Sequence, residues 1–311
     1  MSAIHRFPIP TKIYHDNAYP TISPTRPENS AKGKTVVVTG GGTGIGAETA
    51  RSFAAAGASR ILLVGRRLEP LQATKTSIEA EFPSASVTTF SADVTDKGQV
   101  DAAFDTFASQ NDNVKIDVLI SNAGVAGPLE GVAAVDPTAF LSGIHANVAG
   151  ALHVAQAFLR HANPSGAVVV NVSSHAAHMN FGDAFASYSV GKLAAYRVWD
   201  TVGFNHAHVR VYHLQPGVVN TDLNKSVGGV EALGFEDHVS LPAGTILWLA
   251  SPEAAFLKGK YLWSNWDMDE LKTRAEEIAA GQEFNIQLVG WPFNKEFQGL
   301  HELADSANNA A

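Results

Sequence analysis

At Thr35 a β-branched run, TVVVT, passes without interruption into TGGGTGIG and then into the alanine-rich AETARSFAAAG. A strand, a glycine loop and a helix in that order require a tight turn at the C-terminal end of a parallel strand. Glycines let the main chain approach a pyrophosphate closely, and the helix N-terminus offers it N–H groups and partial positive charge. The loop is therefore expected to hold a dinucleotide, the simpler alternative being a plain strand-to-helix turn.

The rest of the chain repeats the alternation. Strands are expected at Thr35–Thr39, Ile61–Val64, Val87–Phe90, Val118–Ile120, Ala167–Val172 and Val209–Leu214. Crossover helices are expected at Ala47–Ala56, Glu69–Glu81, Gly98–Gln110, Pro137–His161 and Ala186–His206. Short apolar strands separated by long helical segments give a parallel sheet covered on both faces, and no Pro/Gly-rich linker divides it. The fold class is thus α/β, one doubly wound parallel sheet of about seven strands, with Lys260–Trp263 the last. A helix is expected at Leu241–Ala250 and a polar helix at Asp267–Ala280. Residues 1–33, rich in Pro, Ser and Thr, read as an irregular arm on the surface or against a neighbouring subunit. Residues 34–265 form the domain, with a substrate segment near 222–240, and 266–311 a C-terminal extension packing on the domain or on a neighbouring subunit.

Composition narrows the partners. A formal charge of −8 argues against nucleic acid and anionic membrane, both of which need clustered Lys and Arg. The absence of cysteine excludes disulfides, thiolate metal sites and cysteine nucleophiles, and fits a reducing compartment. With no apolar run of membrane-spanning length, a cytoplasmic protein is expected. His175 and His178 raise a metal reading, but no third ligand lies at a suitable spacing, so no metal is expected.

The loop spacing, Gly40, Gly44 and Gly46 after Thr39, is Thr-Gly-x-x-x-Gly-x-Gly, and here the sequence resembles the short-chain dehydrogenase/reductase family. That resemblance implies a single-domain Rossmann fold and assigns cofactor contacts to Gly40, Gly42, Thr43, Gly44, Ile45 and Gly46. Further motifs match in order. SADVTD supplies Asp93 and Val94 for the adenine, and LISNAGVAG supplies Asn122, Ala123 and Gly124, with Ser121 where many members have a second Asn. HLQPGVVNTDL supplies Pro216 and Gly217, with Val219 and Thr221 for the carboxamide and phosphate. The motifs run from Lys34 to about Leu223, and the extension beyond is similar to that of uncharacterised fungal members.

The family's catalytic residues fall on Asn147, Ser174, Tyr188 and Lys192. Tyr188 and Lys192 lie four apart in a helical segment and share a face. Ser174 closes the fifth strand fourteen residues before Tyr188, one more than the usual spacing, while Ser173 would make it fifteen. A free tyrosine has a pKa near 10, so the Lys192 ammonium and the nicotinamide charge must favour its phenolate. Tyr188 would then act as general acid in reduction and general base in oxidation, Ser174 would orient the carbonyl, and Asn147 would hold a water relaying protons from Lys192. Hydride delivery from the nicotinamide B face is carried over from the family. Tyr188 and Lys192 also count among the cofactor contacts.

Cofactor choice rests on RILLVGRRLEP, Arg60–Pro70. Gly65 stands nineteen residues past Gly46, where a carboxylate would bind the ribose 2′-hydroxyl of NAD. Glycine leaves room for a 2′-phosphate, and Arg66 can hold it bidentately, with Arg67 adding charge or stacking. NADP(H) is therefore expected in preference to NAD(H). His175, His178, Met179, Phe181 and Phe185 from the loop, with Val125, Ala126 and Leu223, imply a largely apolar small-molecule substrate carrying one carbonyl or carbinol. Trp263, Trp266 and Trp291 are read as packing residues. The resemblance implies a homodimer or homotetramer. The reading is an NADP-dependent carbonyl reductase or alcohol dehydrogenase. Its alternatives are an epimerase or dehydratase with tightly held cofactor, or a dinucleotide-sensing binding protein.

Overall fold

A computed structural model describes residues 7–180, 182–232 and 234–289, so Phe181, Trp291 and the end of the extension lie outside the described residues. Its sheet is built from β1 (Thr35–Thr39), β2 (Arg60–Gly65), β3 (Ser86–Ser91), β4 (Val118–Ser121), β5 (Ala167–Val172), β6 (Val209–Gln215) and β7 (Tyr261–Trp263). All seven are parallel, in the order β3-β2-β1-β4-β5-β6-β7. The central strands β1, β4 and β5 are buried throughout, which is why their sequences are nearly continuous β-branched runs rather than alternating ones.

The intervening helices are α1 (Gly44–Ala55), α2 (Leu68–Glu81), α3 (Lys97–Gln110), α4 (Pro137–His161), α5 (Ala186–Asn205), α6 (Asp222–Lys225), α7 (Ser240–Leu249), α8 (Met268–Lys272) and α9 (Ala275–Ala280). Val36 and Val38 of β1 face one core with Phe53, Leu71 and Trp248 from α1, α2 and α7. Val37 faces the other with Phe104, Phe158 and Trp199 from α3, α4 and α5. The period-2 alternation of one strand thus sets both layers. Because β1 sits between β2 and β4, the chain changes direction across the sheet there, opening a crevice at the strand C-termini.

One expectation needs correction. The polar helix read at Asp267–Ala280 is two short helices broken at Thr273–Arg274. It is not simply polar, because Met268, Leu271 and Ile278 are buried against the core. Asp267 starts α8 by accepting from the Glu270 N–H, 2.7 Å. The arm, read as irregular, contains two 3₁₀ turns, Pro20–Ile22 and Pro27–Asn29. Ile22 is fully buried beside Gly244 of α7, and Arg26 forks onto Glu253 at 2.7 and 2.8 Å. Trp263 and Trp266 are buried, packing as read. Among the described residues no helix is long and apolar enough to cross a membrane, and no group of three His, Cys, Asp or Glu gathers as a metal site.

Candidate active site

At the C-terminal ends of β1, β4 and β5 lies a cleft of about 1060 Å³. Its first wall is the glycine loop. Gly40 has φ +67°. Gly46 packs so tightly that a Cβ there would sit 2.2 Å from the Gly40 carbonyl oxygen, and no side chain fits. Thr39 ties this loop to the next strand, its Oγ1 accepting from the N–H groups of Asn122 and Ala123 at 3.0 and 3.1 Å. Asn122 Nδ2 donates back to Thr39 O at 3.0 Å and Gly40 O at 3.3 Å. The Asn-Ala-Gly motif therefore braces the loop as well as flooring the cleft.

The cleft is lined by Gly40, Gly42, Thr43, Gly44, Ile45, Arg66, Arg67, Asp93, Val94, Asn122, Ala123 and Gly124, and by Ser174, Tyr188, Lys192, Pro216, Gly217, Val219 and Thr221. Gly44 lies against Thr221 and Gly124 against Lys192, so the two groups meet. Asp93 accepts from the Thr95 N–H and hydroxyl, at 2.9 and 2.8 Å, which with nearby Arg66 hold its carboxyl below the usual range. Arg67 Nη2 reaches across to Asp222 Oδ2, 2.9 Å away, so its charge is shared with α6.

At the inner end, burial pushes the Tyr188 phenol up to about 12, against a hydrogen bond to the Ser174 side chain that lowers it. Burial likewise brings the Lys192 ammonium down to about 8. Lys192 Nζ donates to the Val172 carbonyl at 2.9 Å and lies 5.7 Å from the centre of the Tyr188 ring. Two 3₁₀ turns, His175–Ala177 and Asp183–Phe185, take up the longer spacing and leave Ser174 as the serine that meets Tyr188. Tyr261 Oη donates to the Ser174 carbonyl at 2.5 Å from beneath, so β7 fixes that backbone.

Two of the expected residues stand behind the wall rather than in it. Gly46 supports the turn from below. Asn147, 6% exposed, spends its amide on Val125, accepting from the N–H at 3.2 Å and donating to the carbonyl at 3.0 Å, and on Gly143 O at 3.1 Å. On the substrate side, Val125, Ala126, His175, Phe185 and Leu223 line the cleft. His178 and Met179 do not; His178 Nε2 instead accepts from Trp263 Nε1 at 3.2 Å. Sequence reading missed Ser142, His145 and Ala146, whose i, i+3, i+4 spacing on α4 was the available signal, and Gln215.

The Gln215 contact fixes a tautomer. Its Oε1 accepts from the His175 N–H at 2.9 Å, so its Nε2 is the donor to His175 Nδ1, 3.1 Å away. Burial brings the His175 imidazole down to about 4, leaving it neutral near pH 7 with its proton on Nε2.

The short chain dehydrogenase family model matches residues 34–231. A short chain dehydrogenase/reductase of Aspergillus aculeatus, AacuD, is 32% identical over 286 residues, covering 91% of this chain and 98% of its own length. A short chain dehydrogenase/reductase of Claviceps purpurea is 35% identical over 297 residues, covering 91% and 95%. Among solved structures, a 7α-hydroxysteroid dehydrogenase in complex with NADH and 7-oxo glycochenodeoxycholic acid superposes with a TM-score of 0.69 at 26% identity, over 77% of this chain and 95% of that one. On these matches and this fold, the chain belongs to the short-chain dehydrogenase family.

Proposed function

We propose that the protein is an NADP(H)-dependent oxidoreductase that interconverts a carbonyl and an alcohol on a small, secondary-metabolite-type substrate. The observation that carries this reading is the convergence of the Ser174 hydroxyl, the Tyr188 phenol and the Lys192 ammonium in one cleft whose other end holds the α1 N-terminus and Arg66. The residues fit the cofactor. Gly40, Gly42 and Gly44 let the backbone of the turn approach a pyrophosphate closely, and Arg66 beside Gly65 would hold a 2′-phosphate. A bound nicotinamide supplies hydride transfer at C4.

The chain's own residues do the rest. Ser174 orients the substrate oxygen, and Tyr188, protonated near neutral pH, donates the proton in reduction and takes it back in oxidation. Lys192 supplies the positive charge that makes proton loss from Tyr188 less costly. Asn147 fixes Val125 in the substrate wall through both of its hydrogen bonds. The neutral His175 beside Ser174 suits an apolar substrate with a second hydrogen-bonding oxygen. Exposed Leu152, Val190 and Leu193 on α4 and α5, each more than 40% accessible, support a homo-oligomer formed through these helices.

Fluorescence titration with NADPH and NADH, followed by a screen of ketones and alcohols with both nicotinamides, tests the reading. Tighter binding of NADPH and its oxidation by a ketone are expected. Failure to bind either nicotinamide overturns it.

The Lys192 charge gives a pH dependence. Lys192 is cationic below about 8 and neutral above it. In the reductive direction, kcat/KM for the cofactor, which reports groups of the free enzyme, should fall roughly tenfold per pH unit above that point. A profile flat to two units higher would separate Lys192 from the reaction.

A further inference from the structure

The matched family region begins at residue 34 and ends at 231, yet residues on both sides of it are tied by hydrogen bonds to the wall of the cleft. The wall segment Pro216–Val219 holds its shape through Asp237, which is 1% exposed. Asp237 Oδ2 accepts from the Val218 N–H at 2.7 Å, and its own N–H donates to Val218 O at 2.8 Å. Both polar groups of Val218 are thus taken by one residue. On the far side, Val219 O accepts from the Thr221 N–H at 2.8 Å. The peptide planes between Gly217 and Thr221 are fixed, and with them the direction in which the Val219 N–H faces. Gly217, at φ +90°, completes the arrangement, because a Cβ there would lie 2.6 Å from Asp237 Oδ2.

Asp237 is itself held. Its Oδ1 accepts from Asn265 Nδ2 at 3.0 Å, and Asn265 is also 1% exposed. The same Nδ2 donates to His15 O at 2.9 Å, while Asn265 O accepts from the His15 N–H at 2.9 Å. The neighbouring His238 N–H donates to Asp16 O at 2.8 Å, and His15 Nε2 lies 2.8 Å from Asp267 Oδ2. A continuous set of hydrogen bonds therefore runs from the N-terminal arm through Asn265 and Asp237 to the wall of the cleft.

We infer that Asp237 and Asn265 are positioning residues for the nicotinamide end of the cleft, and that the N-terminal arm is part of the cofactor site's scaffold rather than a surface appendage. The inference rests on the dinucleotide reading of the cleft. It assigns Asp237 and Asn265 to one half of the ligand only, since the adenine end is built by Arg66 after β2 and by Asp93 and Val94 after β3, none of which bonds to Asp237, Asn265 or Val218.

That asymmetry supplies the test. Asp237→Asn keeps the volume and an oxygen for Val218, but turns an amide against the Asn265 amide; Asn265→Ser shortens the donor. Binding of NADPH is compared with binding of 2′-phospho-ADP-ribose, which lacks nicotinamide, after the thermal midpoints establish that each variant folds. Both variants should bind NADPH about tenfold more weakly and the fragment within about twofold of the parent protein, the loss of one charge-assisted hydrogen bond. Unchanged NADPH affinity, or equal losses for both ligands, overturns the inference; equal losses would mark a merely structural role. Should Asp237→Asn fail to fold, Asn265→Ser decides by the same comparison. If the parent protein binds neither ligand, it is the dinucleotide reading that falls.

Discussion

Replacing Tyr188 by phenylalanine is expected to lower kcat by about a thousandfold, in the upper range of what a positioned general acid contributes, while NADPH affinity stays within about threefold. The change removes one oxygen. That oxygen bonds the Ser174 side chain, and its ring lies 5.7 Å from Lys192 Nζ, so no other phenol or carboxylic acid among the cleft-lining residues stands beside both. With its phenol pushed up to about 12, Tyr188 enters the reaction protonated, as an acid must. Phenylalanine preserves the ring and most of its packing but has no proton to give. Steady-state kinetics beside a cofactor titration separates the two effects. Turnover persisting within tenfold of the parent enzyme would remove Tyr188 from the chemistry.

Arg66→Ala should weaken NADPH binding by about a hundredfold and NADH binding by less than about threefold, since a charge-assisted hydrogen bond contributes roughly 1.5–3 kcal/mol. Arg66 is exposed at the cleft rim, with its carbonyl held by Ser91 Oγ at 2.9 Å. Arg67 is the less available cation because it is paired with Asp222 across the cleft. Gly65 leaves the space beside them open. Equal losses for the two nicotinamides would refute the assignment of the 2′-phosphate to Arg66.

Much of the fold was legible because its strands are short β-branched runs bounded by glycine, serine or charge. The structure extends several of them by a residue at one or both ends, as from Ile61–Val64 to Arg60–Gly65, where the added residues are half in solvent. The region after the domain was harder. Asp267–Ala280 has helical composition throughout, but the chain turns at Thr273 and Arg274 so that Met268, Leu271 and Ile278 can all reach the core. Burial, not propensity, decides there.

In the site, motif residues were readable because fixed spacings around a glycine turn or along one helix bring them together locally. Gln215, Asp237 and the arm were not, because their roles depend on partners far away in sequence. Asn265 and His15 are separated by 250 positions, and nothing in either stretch marks the other. Asn147 illustrates the intermediate case. Its match to a family position was visible, while its hold on Val125 appears only once α4 lies beside the loop after β4.

Net hydride transfer to a carbonyl in this cleft would consume reduced nicotinamide and ketone together. The most direct measurement follows a ketone turned over by the purified protein, with loss of reduced nicotinamide absorbance and formation of the alcohol quantified in the same sample. The expected result is one NADPH oxidised for each alcohol formed, with both falling together by about a thousandfold in Tyr188→Phe. Conversion of substrate with no net change in reduced nicotinamide, as an epimerase or dehydratase would give, would contradict it.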